Sequence, residues 1–336
     1  SQALINTSFA DDFNIGESYV SIDSITDALN EDLKHVGNWA EAKDLRIAPD
    51  KSCIILFTPD PHQTNTHPQV HYKESLIPLK KILKVLGITF DTKLNFSHHV
   101  SDIATRISHR IQILKALAGS HWGQNKETLL TTFKMLIRPL MDFGCQIWAP
   151  NASDTSIKKL QVLQNSCLRV VTGGHKMSSA AHLHTETKVM PVKDHLELLN
   201  NQFLVNALQV DHPSHGVVTS QPGPRPMKST LYSKHFPKVQ HLLTNGTTPA
   251  ASYKRIINTL HTAAVSKVVC DAGPNRVLGL YPREVNPIEE TLPRSHRTTL
   301  HQLRSDFCHH LNTYQHRIGK SASSLCPECN AAEHST

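Results

Sequence analysis

From about His98 the apolar residues fall into step with an α-helix and stay in step for some 80 residues. Val100, Ile103, Ile107, Ile111, Leu114 and Leu117 form one stripe, and Leu129, Leu130, Phe133, Leu136, Ile137 and Leu140 a second. Ile157, Leu160, Leu163, Cys167, Leu168 and Val171 form the third. Amphipathic helices must bury their apolar faces against one another, so three in succession predict a small bundle. A fourth helical stretch runs from Val192 to about Leu208.

The residues before this change of period read differently. Ser8 to Ile15 places apolar residues on either side of Asp11 and Asp12, the pattern of two short strands joined at the acidic pair. Ile22, Ile25, Leu29, Leu33, Val36 and Ala40 then recur at steps of three and four, with Trp39 beside them, which predicts a helix packed on the strands. Pro49-Asp50-Lys51 is a turn into Cys53-Ile54-Ile55-Leu56-Phe57, whose unbroken apolar run predicts a buried strand. Residues 58–72 read as a polar loop, and a hairpin-like segment follows, ending in Val85-Leu86-Gly87-Ile88-Thr89-Phe90-Asp91. Beyond the bundle, residues 211–252 are rich in Pro, Ser, Thr, Gly and His and read as a linker. Residues 253–269 and 298–318 read as short helices separated by a Pro-punctuated segment, 273–294. The fold class expected is α+β, mostly α, in parts 1–96, 97–210, 211–252 and 253–336.

Charge is unevenly placed. Residues 1–60 hold 4 Lys/Arg against 11 Asp/Glu, a net of −7, and residues 61–336 hold 31 against 17, a net of +14. A basic body suits a polyanionic partner such as nucleic acid, and an acidic region beside it suits a divalent metal. Within residues 97–176, Arg106, Arg110, Lys158 and Lys159 lie off the apolar stripes, where a phosphate backbone can meet them. No stretch is long and apolar enough for a membrane span, and the start has no signal-peptide pattern. Seven widely spread cysteines fit reduced thiols in a nuclear or cytoplasmic compartment better than a disulfide framework. The 23 histidines are scattered, mostly in polar contexts, and take no role as a group. No Gly-x-Ser-x-Gly elbow or P-loop appears, and neither Gly173-Gly174 nor Gly279 carries a nucleotide fingerprint, which sets hydrolase and dinucleotide-binding chemistry aside.

Two constellations carry chemistry. Adjacent carboxylates in a tight hairpin, Asp11 and Asp12, can both face divalent metal, as nucleotidyl transfer requires. Cys326-Pro327-Glu328-Cys329 is the C-x-x-C turn that makes half of a tetrahedral zinc knuckle, with His334 five residues further on.

In this order, Phe9-Ala10-Asp11-Asp12, a helix with Trp39, Pro49-Asp50-Lys51-Ser52, Leu86-Gly87-Ile88 and a basic helical bundle, the chain resembles the C-terminal part of the reverse transcriptase of a non-LTR retrotransposon, of the jockey-like mobile-element type. The resemblance covers most of residues 1–205 and resumes over Leu292-Pro293-Arg294 to Cys329. It implies an RNA-directed DNA polymerase, a nucleotidyltransferase that extends a DNA primer along an RNA template with Mg2+ or Mn2+. Asp11 and Asp12 would be its metal ligands, Phe9 would pack beside the nucleotide, and Lys51 would meet the departing pyrophosphate. Leu86 and Gly87 would grip the primer, and the helices around Arg138-Pro139-Leu140 and Ile147-Trp148-Ala149-Pro150 would form the thumb.

The third catalytic carboxylate, the fingers and an endonuclease would precede Ser1 in such a parent, so the isolated chain is expected to be inactive. The remaining zinc ligands would follow Thr336, and zinc is expected only with them. Two other classes stay in view: a non-catalytic nucleic-acid-binding remnant in which the acidic pair is vestigial, and an inert relic of a mobile element.

Overall fold

The computed structural model describes residues 5–19, 21–60, 62–63, 66–119, 122–220, 228–272 and 286–335. Gly279 and most of the Pro-punctuated segment lie outside them. The chain forms two compact units, divided between Asn95 and Phe96. It is mostly helical, with short antiparallel strand pairs. Among the described residues no helix is long and apolar enough to cross a membrane, and all seven cysteines are free.

The first unit opens with strands β1 (Ile5–Phe9) and β2 (Asp12–Gly16), antiparallel with Phe9 opposite Asp12. Helix α1 (Ile22–Glu41) packs on β2 and on β3 (His71–Tyr72), which pairs with β4 (Ser75–Leu76). Asn30 pins that contact by donating to the Gln69 carbonyl at 3.2 Å and accepting from the His71 N–H at 2.8 Å. Gly37 is needed for the approach, because a Cβ there would lie 2.9 Å from the Tyr72 ring. Strands β5 (Ile82–Val85) and β6 (Ile88–Asp91) close around Leu86 and Gly87, both with positive φ, the backbone of a type I′ hairpin turn.

Residues 53–57 do not form the buried strand that their composition predicts. Only Ile54 bridges a neighbour, Leu79, and the segment is half-buried with Phe57 exposed. The bridge uses the Pro78 carbonyl, which accepts the Ile54 N–H at 3.0 Å, and the Lys80 N–H, which donates to the Ile54 carbonyl at 2.8 Å; Pro78 has no N–H of its own, so the ladder is not extended back toward Ser52.

In the second unit α2 (Ser97–Leu117) packs against α6 (Asp154–Thr172). Ile103, Ile107, Leu114, Leu160, Cys167, Leu168 and Val171 are buried, as the first and third stripes require. The second stripe is a broken helix: α3 (Lys126–Thr132), a π-helical turn over Phe133–Ile137, α4 (Arg138–Asp142) and α5 (Cys145–Trp148). Pro139 supplies no N–H for an i−4 bond, and the Arg138 N–H reaches back five residues to the Phe133 carbonyl. Trp148 is fully buried, donates to the Phe143 carbonyl at 3.1 Å and meets His99 edge to face.

Helices α7 (Ala180–Thr187), α8 (Val192–Ala207), α9 (His215–Thr219), α10 (Leu231–Val239) and α11 (Tyr253–Ala272) follow. The stretch read as a linker therefore contains part of a core. Val239 is fully buried with Leu204, Val205, Leu208, Ile256 and Leu260, and Tyr232 and Phe236 pack on the same cluster. Helices α12 (Pro287–Thr291), α13 (Arg294–Arg304) and α14 (Asn312–Arg317) complete the unit, so the helix read over 298–318 is interrupted, with Asp306 at positive φ in the break. Cys308, Leu311 and Tyr314 form a small second core there. Gly173 ends α6 at positive φ, and a Cβ there would collide with Thr298 of α13.

Candidate functional site

The acidic pair occupies the tip of the β1–β2 hairpin. Ala10 takes the left-handed conformation, Asp11 completes the turn, and Asp12 begins β2 opposite Phe9. Both carboxylates are exposed, and among the described residues no hydrogen bond or ion pair engages either of them. Two exposed carboxylates at a hairpin turn suit a hard dication such as Mg2+, which takes one or two protein carboxylates beside water and phosphate oxygens. The Phe9 ring is 65% exposed beside them, open to stacking. Glu17, just past β2, faces Asp32 of α1; burial first and the Asp32 charge second raise its carboxyl above the usual range.

Lys51 is exposed in a turn closed by its own N–H to the Ala48 carbonyl at 3.2 Å. Leu86 projects from the β5–β6 turn, half exposed. The four basic residues of the bundle divide into two kinds. Arg106 on α2 and Lys158 on α6 are exposed and make no hydrogen bond or ion pair among the described residues. Arg110 instead donates to the Leu136 carbonyl, and Lys159 reaches Ser101 of α2 at 3.3 Å.

The Cys326–Cys329 turn is tightly formed: the Asn330 N–H donates to the Cys326 carbonyl at 2.9 Å and the Cys326 N–H to Ala332 at 2.7 Å. Backbone N–H groups of Ala331 and Ala332 hold the Cys329 thiol below its ordinary range. His334 Nδ1 accepts the Asn312 N–H at 3.2 Å. Among the described residues no third ligand gathers with the two thiols, nor with Asp11 and Asp12.

The group that does gather was not singled out by the sequence. His182 and Glu186 of α7 and His301 of α13 are buried, with their ligand atoms within 4.8 Å of one another. The signal available was His182 and Glu186 at i and i+4, on one face of a helix capped by Ser179. Burial, with His182 and then Lys126 adding to it, pushes the His301 imidazolium down to about 3. Around the group, Glu186 pairs with Lys126 at 3.0 Å and lies 3.8 Å from Arg304. Arg304 pairs with Glu289 at 2.9 Å, Arg297 with Glu127, and Arg294 donates to the Val170 and Val171 carbonyls at the end of α6.

Three similar proteins give this geometry a context. The chain is 29% identical over 195 residues to a probable RNA-directed DNA polymerase from transposon X-element of Drosophila melanogaster, covering 58% of this chain and 21% of that one. It is 26% identical over 201 residues to the RNA-directed DNA polymerase from mobile element jockey of the same fly, covering 60% and 22%. The jockey polymerase of Drosophila funebris is 25% identical over 202 residues, with the same coverage. The matched region thus spans about a fifth of the length of these relatives. No family model matches, and no solved structure matches. The chain is a relative of the RNA-directed DNA polymerases of jockey-like and X-element non-LTR transposons.

Proposed function

We propose that the chain supplies the metal-binding hairpin, the thumb and the C-terminal region of an RNA-directed DNA polymerase that extends a DNA primer on an RNA template. The observation that carries this reading is the β1–β2 tip, where Asp11 and Asp12 stand exposed beside the Phe9 ring. Nucleotidyl transfer of this kind uses carboxylates that hold two metal ions. Mg2+ or Mn2+, when bound, would neutralise the triphosphate and activate the primer hydroxyl. Asp11 and Asp12 hold those ions, Phe9 stacks beside the incoming nucleotide, and Lys51 offers its ammonium to the departing phosphates. Leu86 and Gly87 carry the primer backbone on the β5–β6 turn. The half-buried segment 53–57 finds its strand neighbours in further palm strands of the polymerase. Cys326 and Cys329 contribute half of a zinc knuckle.

Joined to upstream palm and fingers segments of this polymerase class, the chain should extend an RNA-templated primer in Mg2+ or Mn2+. Asp11→Asn or Asp12→Asn should lower extension by roughly a thousandfold or more. Extension at the parental rate in the double variant would overturn the assignment. The basic surface of the second unit favours one other reading, a nucleic-acid-binding remnant without catalysis; it predicts duplex binding together with no extension in the joined protein.

A further inference from the structure

We propose that His182, Glu186 and His301 form a binding site for a zinc-class transition-metal dication, a His2Glu set bridging α7 and α13. The ligand atoms all lie within 4.8 Å of one another, close enough that side-chain adjustments of under about 1 Å bring them to the roughly 3.5 Å edge of a tetrahedral ion bound at about 2.0 to 2.2 Å. The side chains are 3%, 4% and 2% exposed, so the site is built into the core.

The hydrogen bonding around His301 sets its tautomer. Thr172 donates its single hydroxyl proton to the Leu168 carbonyl at 3.0 Å, and its oxygen accepts the Gly174 N–H at 3.2 Å. Its remaining interaction, with His301 Nε2 at 3.4 Å, therefore has the imidazole as donor. That leaves His301 Nδ1 as a bare lone pair, buried and without a hydrogen-bond partner. An oriented imidazole whose second nitrogen is fixed by a neighbouring oxygen is the arrangement found at metal ligands. Gly174 leaves room for the ring, because a Cβ there would lie 2.7 Å from His301 Nε2.

The surroundings select the kind of ion. Lys126 and Arg304 already face Glu186, so a dication enters against positive charge and competes with Lys126 for the carboxylate. Hard ions such as Mg2+ and Ca2+, which favour oxygen sets, gain too little from two imidazoles to do this; Zn2+ and Co2+ gain more. The remaining cations are compensated locally, Arg297 by Glu127 and Arg304 by Glu289.

The test is a Co2+ titration of the full chain carrying Cys326→Ser and Cys329→Ser, followed by visible absorption and by competition with Zn2+. The expected result is one saturating equivalent with the d–d bands of a four- or five-coordinate site, no thiolate charge-transfer band, and displacement by Zn2+. His301→Ala should abolish the bands. Thr172→Val, which keeps the side-chain shape and removes only the orienting oxygen, should weaken binding about 10- to 100-fold. Lys126→Met should bind more tightly, since the competing ammonium is gone. Absence of saturable bands, or bands indifferent to both His301→Ala and Thr172→Val, would overturn the site. Should His301→Ala fail to fold by circular dichroism, Thr172→Val and Lys126→Met decide the matter, and opposite shifts in the two are required.

Discussion

His235 is held in its neutral form by its place between α10 and α8. It is 6% exposed and its Nδ1–H donates to Asn201 Oδ1 at 2.7 Å. Burial first, and the nearby Lys238 second, push the imidazolium down to about 4 from an ordinary 6.5. Above pH 6.5 the folded and unfolded chains both carry the neutral ring, and its burial has no pH dependence. Below 6.5 the unfolded chain takes up a proton that the folded chain refuses, so stability falls with pH until about 4. The loss from this one group is on the order of 2 kcal/mol. Chemical denaturation at pH 7 and pH 4.5 measures it, and His235→Gln, which keeps a donor for Asn201, should reduce the difference between the two pH values. An unchanged difference would show that the acid sensitivity resides elsewhere.

At the scale of elements, the helices with long apolar stripes were legible because their faces meet other apolar faces. Residues Ile103, Ile107, Leu160 and Leu168 are buried as their spacing predicts, and the acidic hairpin forms where Asp11 and Asp12 mark it. Helix α7 was not legible, because Leu183 is its one large apolar buried residue beside His182, His184, Thr185, Glu186 and Thr187, and it is held by polar partners drawn from residues far away in sequence. Residues 53–57 misled in the opposite sense: the apolar run pairs at Ile54 alone, and among the described residues no neighbouring strand pairs with the rest of it. In α10 the polar composition of its surroundings masks Tyr232, Phe236 and Val239, which recur at helical spacing and meet α8 and α11. Val239→Ala should cost about 2 kcal/mol in an unfolding titration, the price of a cavity in a closed core. A loss within about 0.5 kcal/mol, the usual result at an exposed position, would return 231–239 to the status of a connector.

For the whole molecule the two units differ in sign. Residues 1–95 carry 9 Lys/Arg against 13 Asp/Glu, a net of −4, and residues 96–336 carry 26 against 15, a net of +11. The polymerase proposed above would use this division, with carboxylates gathering metal at the chemistry and cations elsewhere meeting the phosphates of a duplex. Part of the positive charge in the second unit is nevertheless internal, since Lys126, Arg294, Arg297 and Arg304 are engaged by carboxylates or carbonyls. Net charge alone therefore overstates the number of phosphate contacts available, and the exposed residues decide. Binding of the chain to an RNA–DNA heteroduplex should weaken steeply with salt, and the slope of log K against log salt counts the phosphates neutralised. Arg106→Ala and Lys158→Ala should each make that slope shallower by about 1. Arg110→Ala and Lys159→Ala should change it less, because those side chains already have partners on the bundle. Equal effects from all four would mean that the duplex meets the bundle on a surface wider than the α2–α6 face, and no effect from Arg106 or Lys158 would remove that face from the interface.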